Sequence, residues 1–384
     1  MLKANIGSVA ILLRNTYHIE EFQLSLLSSV FYLIAGVLKV PMGILTDKYG
    51  AKKILLPTIL CTVIGSLFFA FSTSFTGFLI GRIFMSISYA SALLCAVKVI
   101  SQYFHVRLYA FLVGLVLFLG YLGASFAGGP LSKLTSIYGM QETYILVGVF
   151  GVVIFSILAI SMESNKSLSS SKSLKDFIIE SVQIIKNKQI IYILLYVGLI
   201  VAGPICIADL WGKLFLVEIY GVEKSTASYI STTLIYLGIA FGSLIWGTLH
   251  SIFVFGKKTL ITVSLLMTVC IISIFILPSI SLPAMAIISF VIGGLSAIKV
   301  VGYEIAKRYV KYENLALVVS LMAMSVTFGS FIIQFGVGSI QHIVEHSFHS
   351  NLLMSYSIAV STLPIIALGT GLLAVKINTN KKSL

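Results

Sequence analysis

A few charged side chains lie inside long apolar stretches of this sequence, where they could bind a charged solute. The cations are Arg14, Lys39, Arg82, Lys98 and Lys299, and the acid is Asp209. A charge at the centre of a bilayer costs about 2.5–3.5 kcal/mol on insertion scales, so such residues usually face protein or a water-filled cavity. Cations placed in this way can bind a carboxylate or another anion. The predicted chemistry is therefore the binding of a small solute.

Lys39 and Arg82 are the strongest candidates for contact with a negative charge. Lys39 shares a helical face with Tyr32, Gly36 and Gly43, which lie at i−7, i−3 and i+4. That face is small and polar, and it suits a groove between helices better than contact with lipid. Neither cation has an acidic residue at i±3 or i±4, so no ion pair within its own helix explains it. A buried structural role is the alternative for both.

The sequence contains no arrangement typical of catalysis, such as a nucleophile beside a base, a phosphate-binding loop or cysteines with metal-ligand spacing. His342, Glu345, His346 and His349 could hold a metal ion on a helix, but a polar loop is the commoner meaning and we expect no metal site. We expect no cofactor, only a proton or ion gradient. The four cysteines lie in apolar stretches, and we expect them to pack without a disulfide: Cys61, Cys95, Cys206 and Cys270.

The composition is that of a membrane protein with many spans. Of its 384 residues 58% are hydrophobic and 10% are charged, and the mean hydropathy is +1.05. The net charge of +13 does not indicate nucleic-acid binding, because the basic residues concentrate in loops on one side of the predicted bundle. Only Lys133, Lys213 and Lys224 are assigned to loops on the opposite side. This asymmetry predicts a bacterial inner-membrane protein whose basic side, with both termini, is cytoplasmic.

The apolar stretches predict an all-α bundle of about 12 transmembrane helices. The first stretch, residues 4–13, is shorter than the roughly 20 residues that cross a bilayer. A signal peptide is one alternative, but no small-residue cleavage site follows. We expect a first helix shortened at its N-terminus, which a natural start upstream of Met1 would explain. The other predicted spans are residues 23–45, 54–72, 76–98, 108–131, 142–161, 189–210, 226–250, 259–277, 283–305, 314–340 and 352–375.

A segment of different composition separates the two groups of six spans. Ser167–Ser173 has the composition of a flexible linker, and Leu174–Lys186 mixes apolar and charged residues as an amphipathic helix on a membrane surface does. A simple extension of the next span is the alternative for the second segment. The predicted domains are an N-terminal six-helix bundle (1–161), a linker with the amphipathic helix (162–187), a C-terminal six-helix bundle (188–376) and a basic tail (377–384).

The two groups of spans show traces of an internal repeat. Tyr32-Leu33, Gly43 and Leu45 recur as Tyr236-Leu237, Gly247 and Leu249, and Ala96-Val97-Lys98-Val99 recurs as Ala297-Ile298-Lys299-Val300. The nearly equal offsets of 204 and 201 residues support two parallel six-helix halves. For Lys98 and Lys299 the alternative is that the side chain reaches toward the lipid headgroups.

The two halves carry different charges inside the membrane. The first half carries most of the cations and the second carries Asp209. A solute with a carboxylate would therefore suit the space between the halves, and an amine on the solute could meet Asp209.

One loop carries the most specific motif of the chain. Between the second and third predicted spans the sequence reads Gly43-Ile44-Leu45-Thr46-Asp47-Lys48-Tyr49-Gly50-Ala51-Lys52-Lys53. The order Gly-x-Leu-x-Asp-Lys-x-Gly-x-Lys-Lys resembles the signature loop between helices two and three of the major facilitator superfamily. The resemblance extends to nearly the whole chain and implies two six-helix halves that rock about a solute site at the bilayer midplane. The gating residues it implies are Gly43, Asp47, Lys48, Gly50, Lys52 and Lys53.

Asp47 is the one acid in this loop, and we expect it to face the N-terminal end of the eleventh helix, near Asn314. A carboxylate at a helix N-terminus is stabilised by the helix dipole, so this contact would hold the two halves together. The counterpart loop of the second half keeps Gly256-Lys257-Lys258 but has Ser251 where the first half has Asp47. The gating function is therefore expected in the first half.

Three further segments can be compared with motifs of the superfamily or of its branches. Gly81–Ser86, around Arg82, resembles the helix-four motif of the superfamily, although Ser86 and Ser88 replace the glycines usually seen there. Gly120–Pro130 resembles only in part the fifth helix of the drug/proton antiporters, which disfavours multidrug export. Ala96–Leu131 is similar to a bacterial branch related to the lysosomal dipeptide transporters and to nutrient or siderophore carriers of intracellular bacteria.

We therefore expect a secondary transporter and not an enzyme. It would move an amino acid, a short peptide or an organic anion across the inner membrane by alternating access, with symport as the expected coupling. The alternatives are a siderophore or drug exporter of the same superfamily, or a transport-inactive sensor or assembly partner. Its expected partners are the solute and the lipid bilayer, with no nucleic acid, and we expect a monomer. The candidate substrate-binding residues are Arg14, Tyr32, Lys39, Arg82, Lys98, Asp209 and Lys299.

The charge asymmetry makes a testable prediction about topology. Reporter fusions placed after Lys172 and after Lys382 should both report the cytoplasm, because the loops on that side are rich in Lys and Arg. The measurement is the activity of a paired alkaline phosphatase and green fluorescent protein fusion at each site. A periplasmic signal from either fusion would contradict the predicted orientation.

Overall fold

The computed structural model of the chain describes residues 2–162, 174–253, 255–276, 280–310, 315–347 and 352–379. Within these ranges every regular element is a helix, which confirms the all-α class. The predicted linker Ser167–Ser173, the end of the predicted tail and Asn314 lie outside the described residues.

The first half begins with a short 3₁₀ turn at Leu2–Ala4. Its helices are α1 (Asn5–Tyr17), α2 (Glu21–Tyr49), α3 (Ala51–Phe71), α4 (Phe75–Tyr103), α5 (Val106–Ser125), α6 (Gly129–Tyr138) and α7 (Met140–Ser161). A capping box starts α2, because the Glu20 N–H donates to Gln23 at 3.1 Å while the Glu20 carboxylate accepts from the Gln23 backbone. Gly50 separates α2 from α3 with a φ of 87°, which glycine adopts without steric cost.

The second half contains two helices that pass through a π-helical turn. Its elements are α8 (Leu174–Ile185), α9 (Lys188–Cys206), the first π turn (Ile207–Trp211), α10 (Gly212–Glu218), α11 (Lys224–Ser228), the second π turn (Tyr229–Thr233), α12 (Leu234–Phe253), α13 (Lys257–Ile276), α14 (Leu282–Ser296), α15 (Lys299–Lys307), α16 (Leu315–Ser347) and α17 (Leu352–Lys376). The two π turns pack against each other. An extra residue in a helical turn changes which side chains face a neighbour, and such turns are frequent at functional sites.

The described residues contain eleven helices that are long and apolar enough to span a membrane. The one predicted helix missing from these eleven is the first, α1. Its 13 residues reach about 20 Å at 1.5 Å per residue, which is too short to cross a bilayer. The shortened first helix is thus confirmed. Several other spans are longer than predicted, because short helices continue across a break: 111–138, 188–218, 224–250 and 282–307.

A side chain from the opposite half makes hydrogen bonds with the backbone groups at the break between α5 and α6. There Thr233, on the second π turn, donates its hydroxyl to the Ser125 carbonyl at 2.9 Å and accepts from the Gly129 N–H at 3.0 Å. The backbone groups that the break leaves without helical partners are therefore paired inside the membrane, as the absence of water there requires. The sequence predicts one continuous span at residues 108–131 and does not show this break.

Lys213 corrects the assignment of basic residues to loops. The predicted span ends at residue 210 and puts Lys213 outside, but the chain stays helical through the first π turn into α10. Lys213 is only 1% exposed, and its Nζ donates to the Ser8 carbonyl at 2.9 Å and to Ser132 Oγ at 3.2 Å. Both acceptors belong to the first half. Lys213 is thus a buried contact between the halves.

The bundle has two chemically different ends. The end with Lys48, Lys52, Lys53, Lys257 and Lys258 is called the basic end, and the end with Glu21, Glu218 and Glu223 is called the acidic end. At the acidic end Arg14 joins the two halves, because it pairs with Glu21 of α2 at 3.1 Å and with Glu218 of α10. Glu223 begins α11 there, and the backbone N–H of Ser225 lowers the pKa of its carboxylate.

Further contacts join the halves along α2 and α16. Ser25 donates to the Gln334 carbonyl at 2.7 Å, and Gln334 donates to Ser28 Oγ at 3.0 Å. These contacts, with those of Lys213 and Arg14, close the acidic end. Polar side chains between the halves nearer the basic end keep partial exposure, as Lys39 and Tyr89 do. The halves are thus closed at the acidic end, and polar side chains between them are more exposed nearer the basic end.

The predicted amphipathic helix is a separate element. Asn187 ends the preceding segment and caps α9 by accepting the Gln189 N–H at 3.0 Å, so α8 is not an extension of the next span. One face of α8 packs on α2 and α16, while Ile178 and Val182 are 56% and 51% exposed. A helix with such an apolar exposed face suits a membrane surface.

The close approach of α1 to the first π turn leads to a prediction. A Cβ atom on Gly7 would lie 2.6 Å from the backbone oxygen of Asp209, so Gly7→Ala should push the first half away from the second at the acidic end. Overpacking of this kind costs about 1–3 kcal/mol, enough to change which state is favoured. Spin labels at positions 133 and 224, in a protein without native cysteines, should move farther apart.

The control for Gly7→Ala is Gly114→Ala, since a Cβ on Gly114 meets nothing within 4 Å. The distance between the spin labels should not change in that variant. An unchanged distance in Gly7→Ala would show that contact between α1 and the π turn does not hold the acidic end closed.

Candidate functional site

Asp209 lies at the centre of the contact between the halves. It belongs to the first π turn, its side chain is fully buried, and each of its two oxygens accepts a tyrosine hydroxyl. Tyr32 donates to Oδ2 from α2 of the first half, and Tyr236 donates to Oδ1 from α12 of the second half. These tyrosines are the two members of the internal repeat, so the repeat brings two equivalent hydroxyls to one carboxylate.

Two lysines lie against the tyrosine rings next to Asp209. The Lys3 ammonium is 4.3 Å from the centre of the Tyr236 ring and 4.8 Å from that of Tyr121. The Lys299 ammonium is 4.4 Å from the centre of the Tyr121 ring and donates to its hydroxyl. A cation over an aromatic face within about 6 Å is attracted by the ring, so Tyr121 stabilises both charges.

Lys39 is the third lysine of this region. Its Nζ donates to the Ala323 carbonyl at 2.9 Å and to Thr327 Oγ1, both on α16, and it lies 5.8 Å from the centre of the Tyr89 ring. The Lys39 side chain is partly exposed, and it lies within Coulombic range of the ammonium groups of Lys3 and Lys299. We call Lys3, Lys39 and Lys299 the lysine cluster.

The structure gives Arg82 a different surrounding from the one expected of a solute ligand. Its guanidinium is fully buried and donates to the Leu27 carbonyl at 2.8 Å, to Asn5 Oδ1 at 2.7 Å and to the Lys3 carbonyl at 3.3 Å. It also stacks over the Phe31 ring at 4.4 Å. This geometry favours the structural alternative, because Arg82 joins α4 to α2 and to the start of the chain.

Two other candidates lie at the ends of the bundle, away from the lysine cluster. Arg14 forms its ion pairs at the acidic end, and Lys98 pairs with Asp47 at 2.7 Å at the basic end. Lys98 and Lys299 therefore have different roles although they are repeat partners. The candidates that the structure brings to the central region are Tyr32, Lys39, Asp209 and Lys299.

The loop of the signature motif is organised within the first half. Lys52 donates to the Ala159 carbonyl at 2.8 Å and to that of Met162, so it caps the C-terminal end of α7. Asp47 contacts Lys98, and the partner expected for it near Asn314 lies outside the described residues. Lys48 lies over the Tyr49 ring at 5.2 Å, while Lys53 is exposed. A gating role for the loop stays a prediction.

The histidines of α16 are arranged along one helix. The ring centres of His342 and His346 are 4.1 Å apart, while Glu345 accepts a hydrogen bond from Gln341 at 2.7 Å. His349 lies outside the described residues. In the described part of the chain, no three His, Cys, Asp or Glu side chains lie close enough together to hold a metal ion.

Comparison with known proteins decides the family. The sequence model of the Major Facilitator Superfamily matches residues 1–334. This chain belongs to the major facilitator superfamily. Members of this family are transporters and not enzymes. The narrower bacterial branch suggested by Ala96–Leu131 stays a prediction.

Solved structures support the fold of this transporter over almost its whole length. A bacterial homolog of the human lysosomal transporter Spinster, in an inward-facing and unoccupied conformation, is 19% identical with a TM-score of 0.77, and the alignment covers 100% of this chain and 95% of that one. The nucleoside transporter NupG is 12% identical with a TM-score of 0.78, covering 98% and 95%. A D-xylose–proton symporter is 13% identical with a TM-score of 0.74, covering 100% and 95%. Identities this low show the fold alone.

One curated relative adds a shorter match. A probable nitrate transporter, NarT of Staphylococcus haemolyticus, is 28% identical over 142 residues. The match covers 37% of this transporter and 37% of that protein, so this chain spans about a third of the relative's length.

Sequence reasoning misses four residues that the structure places in or near this region. It treats Lys3 as part of the extreme N-terminus and assigns Lys213 to a loop. Tyr121 escapes it because an aromatic residue in an apolar helix has no distinguishing pattern. The repeat is the signal that could have identified Tyr236, since this residue is the counterpart of Tyr32.

The surroundings of Arg82 predict a loss of stability when it is replaced. Arg82→Met should lower the thermal midpoint and the yield, because each buried acceptor left without a donor costs about 1–3 kcal/mol. Arg82→Lys should not restore stability, since one ammonium cannot reproduce donors that point in three directions. Thermal unfolding of the purified protein in detergent measures this.

Lys39→Met is the matched control for this experiment. It removes a cation that is partly exposed, and it should leave yield and thermal midpoint close to those of the wild type. If Arg82→Met were as stable as the wild type but bound solute more weakly, Arg82 would be a residue of the solute site and not a structural one.

Proposed function

We propose that this transporter is a secondary carrier that moves a small organic anion across the bacterial inner membrane by alternating access. The observation that carries the proposal is the lysine cluster. Three ammonium groups lie near the contact between the halves, beside the rings of Tyr89, Tyr121 and Tyr236. In the part of the chain that the structure describes, none of the three forms an ion pair with a carboxylate.

The charge balance of this region favours an anion over an amine. Asp209 is fully buried, and both of its oxygens already accept tyrosine hydroxyls, so it has little left to offer a solute amine. Lys39 by contrast is partly exposed. A bound carboxylate would make charge-assisted hydrogen bonds with the cluster and reduce the repulsion among its members.

The arrangement of the halves supports alternating access. The contacts that close the acidic end include hydrogen bonds and ion pairs, which can separate and form again as the halves move. The excess of Lys and Arg at the basic end supports a cytoplasmic location for that end. With that orientation, the state described here is closed to the outside.

The relatives are consistent with a small solute, although they differ in what they carry. The relative from Staphylococcus haemolyticus is named for nitrate, which is also an anion. The other similar proteins are named for a nucleoside and for D-xylose with protons. The lysine cluster is the reason to propose an organic anion for this chain.

Lys39→Met and Lys299→Met should each raise the half-saturating concentration for an organic anion by about 10- to 100-fold. The reason is the loss of one charge-assisted hydrogen bond, worth about 1.5–3 kcal/mol, where 1.4 kcal/mol is tenfold in affinity. Uptake of radiolabelled carboxylates, amino acids and short peptides into proteoliposomes is the measurement.

Lys133→Met serves as the control, because Lys133 is exposed at the acidic end and outside the cluster. Its half-saturating concentration should equal that of the wild type. If the wild-type protein exchanged none of these solutes, the alternative of a transport-inactive sensor would gain support. Equal concentrations in all variants would place the site elsewhere.

A further inference from the structure

A short segment after α17 lies across the basic end of the second half. Residues 377–379, which we call the strap, follow the last residue of the helix, Lys376. Ile377 is 1% exposed and anchors the segment in the bundle. Side chains from other helices pair with the backbone groups of the strap, so the strap is held in a defined position.

Hydrogen bonds connect the strap to the starts of α9 and α13. Gln189 of α9 donates to the Lys376 carbonyl at 3.2 Å and accepts from the Asn378 N–H at 2.8 Å. The backbone N–H of Lys257, the first residue of α13, donates to Thr379 Oγ1 at 3.3 Å. The strap thus joins the ends of three spans of the second half.

The residues that follow α15 bind the same segment. Arg308 donates to the Thr379 carbonyl at 2.9 Å, and the Tyr309 hydroxyl donates to the Asn378 carbonyl. Thr379 therefore has one partner on α13 and another just after α15. Through these contacts the strap ties the end of α15 to the loop that begins α13.

The first half joins the equivalent elements in a different way. Its signature loop reaches the end of α7 through Lys52 and reaches α4 through the ion pair of Asp47 with Lys98. The sixth span of each half is α7 or α17, and the fourth is α4 or α14 with α15. Loop, fourth span and sixth span are thus tied together in both halves, by the loop in the first and by the strap in the second.

This difference affects Lys299, the repeat partner of Lys98. Ser251 stands where the first half has Asp47, so Lys299 lacks the counterpart of the acid that holds Lys98. Lys299 donates instead to the Tyr121 hydroxyl of the first half. Because the strap holds α15 at its opposite end, the hold on this helix does not use the Lys299 ammonium.

The α15 helix depends on such a hold because 3₁₀ turns separate it from α14. The N–H groups of Ala297 and Ile298 donate to carbonyls three residues earlier, at 3.3 and 3.1 Å. A 3₁₀ stretch within a longer helix often marks a hinge. The nine residues of α15 span about 13 Å, with Lys299 at the first position and Arg308 just after the last. A rotation or shift of α15 as one body therefore moves Lys299 relative to Tyr121.

We propose that Arg308, Tyr309 and Thr379 are positioning residues, which fix α15 through the strap so that Lys299 is presented to the solute. In the second half the strap takes the place of the acid that the signature loop has in the first half. The action on Lys299 rests on the proposed anion transport, whereas the hold of the strap on α15 is independent of it.

The first test measures α15 without any solute. Hydrogen–deuterium exchange of the purified protein in detergent is compared with that of a variant lacking residues 377–384. Exchange of the α15 backbone amides should become about tenfold faster, because several hydrogen bonds that hold this helix are lost. Exchange in α4, which has its own hold, should not change. Unchanged exchange in α15 would overturn the proposal, and so would an equal increase in α4.

Deletion of residues 380–384 is the matched control, because it keeps the strap. Exchange in α15 should then equal that of the wild type, and an increase as large as that of the longer deletion would contradict the proposal. If the longer deletion prevents folding, Thr379→Val and Thr379→Ser replace it. Valine loses the acceptor for the Lys257 N–H and should speed exchange in α15, whereas serine keeps it and should not. Equal exchange in these two variants would overturn the proposal.

The second test asks whether the strap acts through Lys299. In proteoliposomes, Thr379→Val should raise the half-saturating concentration of an organic anion about three- to tenfold, the range of one hydrogen bond, and change the maximal rate less. Thr379→Ser should restore the wild-type value. In a Lys299→Met background, Thr379→Val should have no further effect, because residues that act through each other are not additive. Effects that multiply would overturn the positioning of Lys299.

The two tests distinguish this inference from the proposed function. If α15 exchanged faster without the strap while the wild type transported no organic anion, the hold on α15 would stand. The action on a solute through Lys299 would then be wrong together with the proposed function. If Lys299→Met weakened anion transport while exchange in α15 did not depend on the strap, the solute site would stand and the strap would have no positioning role.

Discussion

The hydrogen bonds from Tyr32 and Tyr236 to Asp209 are the contact on which the arrangement of the two halves depends. They place an ionisable group, fully buried, at the junction of α2, α12 and the first π turn. A buried charge is tolerated only when its hydrogen-bonding capacity is satisfied, and here that capacity is met from both sides. The position of one half relative to the other is therefore set by polar contacts as well as by shape.

The cations of the membrane region are stabilised in three distinct ways, which separates their roles. Arg82 is surrounded by backbone and amide acceptors and is withdrawn from any cavity. Arg14 and Lys98 have carboxylate partners at opposite ends. The lysine cluster relies on aromatic faces and neutral acceptors, and in the described part of the chain none of its members forms an ion pair with a carboxylate.

Much of the fold could be predicted from sequence. The length of the apolar stretches and the charge of the loops indicate the membrane spans, and the signature loop indicates the family. The repeat offset by itself puts Tyr32 and Tyr236 in equivalent positions of the two halves. Lys213 is misplaced by the sequence because hydropathy marks the end of an apolar run and not the end of the helix. The orientation of Asp209 depends on a π turn, and neither composition nor periodicity shows where a helix gains one residue in a turn.

Lys98 and Lys299 lie at equivalent positions of the two halves but have different contacts. Both lysines occupy the same repeat position, yet Lys98 pairs with Asp47 whereas Lys299 contacts Tyr121 near the contact between the halves. The second half has Ser251 where the first half has Asp47, so Lys299 lacks the counterpart of that acid. In the proposed function, the absence of that acid would leave Lys299 available to the solute, while Lys98 is held at the loop by Asp47. The two halves would then divide gating and binding between them.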